Sequence, residues 1–204
     1  MPSAQTSTRW AGVPAAGRKA ERRAMLVRAG FRLFGADGEA ALTVRAVCRD
    51  AELHTRYFYE SFADTRELLA AVYDQQASAL GDVLAQSLAT AGPHPAARTR
   101  AGIRGVLQFL RDDARRGRVL FADAESLAGR RRTNETALLE GLVAMSRTAD
   151  PSLPVLVAAT MFTGAMTELA RQWVDGRLGD DLDAVVDSAV ELSLALQASA
   201  KPRR

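Results

Sequence analysis

The chain has 204 residues, of which 48% are hydrophobic, and this suffices for one compact unit or for two small domains that share a core. No run approaches 18 uninterrupted apolar residues, and only one cysteine is present, so the sequence predicts neither a membrane span nor an internal disulfide. The net charge is +3, but residues 1–62 hold ten basic against six acidic side chains, whereas residues 63–204 hold seventeen against eighteen.

The N-terminal segment, residues 1–17, is small and polar and predicts a flexible arm. It lacks the apolar core of a signal peptide, so we expect a cytoplasmic protein. Trp10 leaves two interpretations open: it packs loosely on a neighbouring residue, or the arm folds over a nucleic acid. A first helix is predicted from about Arg18 to Ala36, and Gly38 is expected to end it with a positive φ. Six basic side chains and one acid lie between Arg18 and Arg32, as in the electrostatic footprint of a DNA-binding protein.

The stretch from Thr43 to Phe62 predicts two short helices joined by a tight turn. Thr43 is a plausible N-cap for the first of them. Two apolar stripes with helical spacing mark the buried faces, namely Val44, Val47, Cys48 and Ala51, then Leu53, Phe58 and Phe62. The second helix is polar and aromatic between its anchors, at Thr55, Arg56, Tyr57 and Tyr59. A short helix decorated in this way fits a helix-turn-helix, whose second helix enters the DNA major groove.

From Asp64 onward the periodicity is helical throughout, and no segment has the period of a strand. Asp64 is predicted to cap a long helix that ends near Ala89, with Glu67 as its capping-box partner. Gly117 and the run 129–132 are predicted to separate the helices on either side of them. Further helices are predicted over about 97–116, 119–127, 134–147, 151–175 and 180–198. The chain is therefore expected to be all-α, with about nine helices.

The last two long helices offer little polar surface. Residues 153–170 and 185–196 are apolar on nearly all sides, and such helices must be buried on all sides. In a domain of this size, one face then packs inward and another packs against a partner molecule. Small residues at 158, 159, 164 and 165 permit close helix approach. The sequence thus predicts a homodimer with a symmetric four-helix interface.

A set of positions spread over about 45 residues carries a family resemblance. They are Ala29, Leu33, Phe34, Gly38, Thr43, Val44, Val47, Ala51, Leu53, Tyr59, Phe62, Glu67 and Leu68. With this spacing, the segment Met25 to Leu69 resembles the DNA-binding domain of the tetracycline-repressor (TetR) family of bacterial transcription regulators. Two positions depart from the family pattern. The turn has Glu52 where glycine is usual, and a positive φ there would cost about 1 kcal/mol more than in glycine. Thr65 stands where lysine is common, which removes one expected phosphate contact.

The resemblance implies a three-helix helix-turn-helix domain over residues 18–63, after the arm, and a helical ligand-binding and dimerisation domain over residues 64–204. It also implies a ligand-responsive, sequence-specific DNA-binding regulator. In such families this is most often a repressor that a small molecule releases from its operator. The expected partners are a pseudo-palindromic double-stranded DNA operator, a second copy of the chain that pairs through the last two long helices, and an effector that the sequence does not identify.

The DNA-binding candidates fall into three groups. Arg45, Thr55, Arg56 and Tyr57 are expected to reach base edges. Thr43, His54 and Tyr59 are better placed for phosphates. The basic residues of the first helix are expected to follow the backbone or to enter the minor groove, and they are Arg18, Lys19, Arg22 and Arg23. For Tyr57 and Tyr59, packing within the domain is the alternative.

The effector pocket that the resemblance implies is expected among large or soft side chains and two carboxylates of the second domain. These candidates are Phe109, Phe121, Glu125, Met145, Phe162, Met166, Glu168 and Trp173. Each apolar member could equally belong to an ordinary core. Glu168 follows an uncharged stretch, residues 151–167, so it is expected to face a cavity or to have a partner, such as Arg171 across a subunit interface.

Two other classes of protein remain open from the sequence. One is a helical dimeric interaction or small-molecule carrier protein without operator binding, which the presence of Arg45, Arg56 and Tyr59 disfavours. The other is an all-helical enzyme. The only histidines, His54 and His94, lack plausible catalytic partners, and no P-loop, GxGxxG or HExxH motif is present. We therefore expect no catalytic activity, no cofactor and no metal.

Overall fold

The computed structural model describes residues 15–145 and 152–199, which form nine α-helices and two short 3₁₀ helices, with no strand among these residues. The all-α prediction is confirmed. Trp10 and the rest of the predicted arm before residue 15 lie outside the described residues. The 3₁₀ helices span Glu39–Ala41 and Glu125–Leu127. The α-helices are α1 (Ala15–Asp37), α2 (Val44–Asp50), α3 (Thr55–Tyr59), α4 (Thr65–Thr90), α5 (Pro95–Asp112), α6 (Ala114–Leu120), α7 (Ala128–Met145), α8 (Leu153–Val174) and α9 (Leu182–Ser199).

The chain divides into two compact units, residues 1–72 and 73–204, and α4 contributes to both. The sequence placed the boundary nine residues earlier, at 63, because a new helix begins there. The start of α4 belongs to the first unit, since Leu68, Leu69 and Val72 are buried there. α1 approaches them closely at Gly30, where a β-carbon would lie 3.1 Å from Val72 Cγ2 and 3.2 Å from Leu68 Cδ2.

Local capping signals define the helix ends in the first unit. Gly38, with φ 75°, follows the end of α1, and the Thr43 side chain accepts a hydrogen bond of 3.2 Å from the Ala46 amide. At the start of α4, the Glu67 amide donates to Asp64 Oδ1 at 2.8 Å. Glu67 Oε2 accepts from the Ala63 amide at 2.6 Å, one residue further back than in a standard capping box.

The predicted break at Gly117 is wrong. α5 ends at Asp112, and Gly117 lies inside α6. The break falls at Asp113, which has an extended backbone and caps α6 by accepting 3.0 Å from the Arg115 amide. A side-chain hydrogen bond from Arg115 lowers the pKa of the Asp113 carboxyl. Gly117 serves for close packing instead, because a β-carbon there would overlap the side chain of Val174 on α8.

The predicted break at 129–132 is also wrong, since α7 begins at Ala128 and includes this run. The arginines are held by neighbouring parts of the chain: Arg131 donates to the Ala122 carbonyl, and Arg130 pairs with Asp74. Glycines with positive φ, at 176 and 179, separate α8 from α9 as expected. The predicted start of α8 at residues 150–151 lies outside the described residues.

The core of the second unit forms where α5 packs against α8 and α9, and where α6 packs against α8. Its fully buried side chains include Ile103, Leu107, Val119 and Val186. Two ion pairs, Arg100 with Asp187 and Arg104 with Asp183, join the outer edges of α5 and α9.

α8 and α9 are not buried on all sides within one chain. Leu153, Leu156, Val157 and Met161 on α8 are 40–73% exposed, and Leu192 on α9 is 73% exposed. Among the described helices, α8 alone is long and apolar enough to cross a membrane, by length and composition only, with a mean hydropathy of 1.4. The sequence prediction of no membrane span overlooked the apolar character of α8, because threonines interrupt its apolar run without making the helix polar on average.

Candidate functional site

The helix-turn-helix of the first unit consists of α2 and α3, and α3 spans only five residues. A helix this short is not stable by itself and needs tertiary contacts. Phe58 is its one buried side chain and is fully buried, with its ring centroid 5.8 Å from that of Phe62. Val47 and Cys48 bury the facing side of α2. This apolar contact fixes which side chains of α3 point away from the core.

The turn between α2 and α3 contains Glu52 in the left-handed conformation, with φ 53°. The Glu52 amide donates to the Arg49 carbonyl at 3.2 Å, and the Leu53 amide donates to the Cys48 carbonyl at 2.9 Å. These two bonds form a Schellman motif, in which the residue at the position of Glu52 is usually glycine. Glutamate therefore bears a steric strain that glycine would avoid.

The exposed side of the motif carries most of the predicted DNA-binding residues. Arg45, on α2, and the neighbouring Thr55 and Arg56, on α3, are exposed, and the Arg56 side chain is 72% exposed. Tyr59 is 63% exposed, so its packing alternative is not supported. Thr43 and His54, which cap α2 and α3, are exposed as well.

The basic residues of α1 differ among themselves. Lys19 and Arg23 are exposed, and the Arg23 guanidinium lies 4.8 Å from the centroid of the Phe62 ring. Arg18 is half-buried. The Arg22 side chain is only 17% exposed, and its contact with Tyr57 joins α1 to α3. Its predicted contact with a phosphate stays a prediction.

Arg22 belongs to a group that we call the Tyr57 cluster, formed by Arg22, Arg56, Tyr57 and Glu60. The two guanidinium carbons lie 4.4 Å (Arg22) and 4.6 Å (Arg56) from the centroid of the Tyr57 ring. Arg56 Nη2 donates to the Tyr57 hydroxyl at 3.1 Å. Glu60 pairs with Arg22 at 3.3 Å and lies 4.0 Å from Arg56 Nε. Tyr57 is half-buried, so packing occupies much of its ring.

Sequence reasoning missed Glu60, although its i,i+4 spacing from Arg56 was visible. It also missed Arg66, an exposed cation in the first turn of α4 beside Thr65, where the family pattern has lysine. Arg66 thus places a positive charge one residue from the position where that lysine is missing.

The predicted effector-binding residues do not come together in one cavity. Trp173 and Phe109 are buried in the core, and Trp173 Nε1 donates to the Leu107 carbonyl at 3.2 Å. The Arg116 guanidinium carbon lies 4.2 Å from the centroid of the Phe109 ring. The half-buried candidates are Phe121, Phe162 and Met166. Glu125 is exposed, and the side chain of Met145 lies outside the described residues.

Glu168 does not face a cavity, because its side chain is 59% exposed. It accepts 2.5 Å from Gln172 Nε2 and pairs with Arg171 at 3.6 Å. Arg171 is thus a partner of Glu168 within the same helix. The charge that interrupts the apolar stretch is paired along the surface of α8.

Two of the depressions in the described part of the second unit bear on the predicted effector site. The smaller, of about 150 Å³, includes Phe121 among its walls and is lined by Gly117, Arg118, Phe121, Arg171, Val174 and Asp175. The larger, of about 440 Å³, follows α7 between Gly129 and Glu140 and is widely open. Of the predicted effector-binding residues, only Phe121 lines either depression. Among the described residues, no group of three His, Cys, Asp or Glu side chains could hold a metal ion.

Comparisons with known proteins identify the fold. No protein-family model and no curated protein matches the chain. A TetR-like transcriptional regulator from Rhodococcus sp. RHA1 is 20% identical, with a TM-score of 0.71 over 91% of this chain and 98% of its own. A TetR-family regulator from Streptomyces coelicolor is 15% identical, with a TM-score of 0.72 over 89% and 82%.

The regulator FadR from Bacillus subtilis, solved in complex with stearoyl-CoA, is 17% identical, with a TM-score of 0.69 over 83% of this chain and 96% of its own. Many further solved structures of TetR-family regulators are similar to this chain. The fold is therefore the one found in TetR-family transcriptional regulators.

Replacing Glu52 by glycine should raise the free energy of unfolding by up to about 1 kcal/mol, because glycine adopts φ 53° without steric cost. The greater freedom of glycine in the unfolded chain offsets part of this gain. Asparagine tolerates the left-handed conformation, so Glu52→Asn should give a smaller gain. Urea unfolding followed by circular dichroism measures the changes. Glu52→Ala is the matched control, since it removes the charge but keeps the β-carbon. A gain for alanine equal to that for glycine would mean that charge, not backbone conformation, sets the effect.

Proposed function

We propose that this protein is a sequence-specific DNA-binding transcription regulator that acts as a homodimer and responds to a small-molecule effector. The observation that carries the proposal is the exposed polar face of α3. Phe58 anchors this helix, and Thr55, Arg56 and Tyr59 are exposed. A bacterial, cytoplasmic repressor that its effector releases from an operator is the form of this function that we propose.

The chemistry of the first unit supports DNA as the partner. Arginine is the side chain best suited to bidentate contact with guanine, and Arg45 and Arg56 are exposed on the two helices of the motif. Thr43, His54 and Tyr59 supply hydrogen-bond donors for phosphates, and Lys19 adds a cation on α1. The excess of basic side chains in residues 1–62, ten against six, supplies the long-range attraction to a polyanion.

The apolar face of α8 and α9 supports a second copy of the chain as its occupant. Five of the seven exposed large hydrophobic side chains in the described residues lie on these two helices. The exposed Gly164 and Ala165 on α8 would let a partner helix approach closely, and a β-carbon at Gly164 would meet nothing within 4 Å. A symmetric dimer would cover this face and present two α3 helices, as a pseudo-palindromic operator requires.

We place the effector in the second unit, among Phe121, Phe162 and Met166, whose half-buried side chains leave apolar surface for a ligand. The stearoyl-CoA bound to the similar Bacillus regulator supports an effector with an apolar part. To release the operator, the effector must bind more tightly, by several kcal/mol, to a dimer shape whose two α3 helices do not match the spacing of the half-sites. Glu168 stays a candidate ligand contact at the surface of α8. The buried candidates Phe109 and Trp173 would need side-chain movement to reach a ligand. We keep two more candidates, Glu125 and Met145, from the sequence alone.

Truncating a base-reading arginine should weaken specific binding. The probe is a duplex that the parent chain enriches from a random-sequence library. Arg45→Ala and Arg56→Ala should each raise its Kd by about 5- to 150-fold, equivalent to about 1–3 kcal/mol per base contact. Fluorescence anisotropy measures Kd at two salt concentrations, and binding should weaken steeply with salt. Arg132→Ala, which removes an exposed arginine of α7, is the matched control and should bind like the parent. Failure of the parent to enrich any duplex would favour the carrier alternative.

A charge on the apolar face should break the dimer. Met161→Glu introduces two buried carboxylates into a two-fold interface, one from each copy, at a cost of several kcal/mol each. Sedimentation velocity at micromolar concentration should show a dimer for the parent and a monomer for the variant. Leu178→Glu is the matched control, because Leu178 is 37% exposed but lies beyond α8, and this variant should remain a dimer. A parent that is monomeric, or that floats with lipid vesicles instead, would contradict the proposed interface.

The effector should be visible through Trp173. In a Trp10→Phe background, Trp173 is the only tryptophan, so its emission reports on the second unit. Among long-chain acyl-CoAs and apolar drugs, we expect a compound that shifts this emission and releases the enriched duplex. Glu168→Gln should weaken both responses and leave duplex affinity without the compound unchanged, whereas the control Glu140→Gln should change neither. Equal responses from Glu168→Gln and the parent would remove Glu168 from the site and leave the DNA-binding assignment intact.

A further inference from the structure

We propose that Glu60 is a specificity-determining residue of the DNA-binding surface, which acts through Arg56. Its carboxylate favours the position of Arg56 on the Tyr57 ring, so that a base edge, but not a lone phosphate, draws the guanidinium away. This inference rests on the proposed function and concerns the selectivity of the same surface. The helix-turn-helix pattern assigns no role to this carboxylate.

Glu60 is held in place by an arginine of α1. Arg22 of α1 pairs with Glu60 Oε2 at 3.3 Å, and its side chain is only 17% exposed. The same guanidinium lies 4.4 Å from the centroid of the Tyr57 ring, so α1 fixes both Tyr57 and Glu60. A carboxylate in a fixed position can orient its neighbours, whereas a freely rotating surface glutamate cannot.

Arg56 makes three contacts within the Tyr57 cluster. Its guanidinium stacks on the Tyr57 ring at 4.6 Å, Nη2 donates to the Tyr57 hydroxyl at 3.1 Å, and Nε lies 4.0 Å from Glu60 Oε1. The side chain nevertheless remains 72% exposed, so DNA can reach it. Arg56 is thus oriented by the protein while it stays accessible to a ligand.

The contacts that compete for the Arg56 guanidinium differ in strength. Exposed i,i+4 ion pairs and exposed cation–π contacts are weak, so the cluster holds Arg56 only loosely. A bidentate contact with guanine is stronger than either and can displace them. A phosphate competes with Glu60 for the same guanidinium and is repelled by its carboxylate, whereas a neutral guanine edge meets no such repulsion. The cluster therefore reduces the gain from a nonspecific contact more than the gain from a specific one.

Glu60 penalises wrong sites at Arg56. It is 42% exposed and lies one helical turn from Arg56, on the same side of the motif. A phosphate that is drawn to Arg56 is repelled by this carboxylate wherever the fit to the bases does not compensate. Specificity that arises from penalising wrong partners leaves a signature: removal of the penalty strengthens nonspecific binding most.

The experiment compares Glu60→Gln with the parent on two duplexes, one enriched from a random library by the parent and one with the same bases scrambled. Affinity for the scrambled duplex should rise by at least about threefold, and affinity for the enriched duplex should rise less, so the specificity ratio falls. Glu39→Gln is the matched control, because Glu39 is an exposed glutamate of the same unit outside the cluster, and its ratio should stay unchanged. Thermal unfolding should be unchanged for both variants, which separates selectivity from stability.

The coupling to Arg56 is tested with a double-mutant cycle. In an Arg56→Ala background, Glu60→Gln should leave the ratio nearly unchanged, because the residue through which it acts is absent. A full fall in the ratio in that background would overturn the proposal, as would equal effects of Glu60→Gln and Glu39→Gln. A parent that enriches no duplex would overturn the proposed function and this inference together. A parent that discriminates well beside a Glu60→Gln variant with the same ratio would overturn this inference alone.

Discussion

The burial of Phe58 is the contact on which the whole candidate interface depends. α3 has five residues and one buried side chain, so without this contact it has neither the length nor the apolar area to remain helical. Phe62 and the facing residues of α2 complete the contact, and Arg22 reinforces it through Tyr57 and Glu60. The polar side chains of α3 are therefore positioned by an apolar contact that lies behind them, and a change in Phe58 would remove the candidate interface without altering any proposed contact.

A different constraint governs the second unit, where α8 is apolar on two sides. One face packs against α5, α6 and α7, and Gly117 of α6 allows the closest approach, at Val174. The opposite face is apolar and exposed within one chain. Trp173 completes the inner face with its hydrogen bond to the Leu107 carbonyl. A helix that is apolar on both sides resembles a membrane segment in composition, which explains its high mean hydropathy.

The sequence predicted those parts of the structure that are set within a few residues. Thr43, Asp64 and Gly38 act through their own neighbours, so the helix ends they define were recognisable. The breaks assigned to Gly117 and to 129–132 failed because distant contacts decide them: Val174 requires the glycine, and the carbonyl of Ala122 holds Arg131. The burial of Arg22 was not recognisable for the same reason, since it depends on how α1 meets α3. The effector pocket was hardest, because the choice between core and cavity for an aromatic side chain depends on the angles at which helices pack.

The left-handed Glu52 gives the turn an evolutionary property. Both glutamate codons become glycine codons through a single A-to-G transition, so the least strained version of this turn is one nucleotide away. Selection of this gene for function at elevated temperature should therefore reach that change early, before rarer double substitutions.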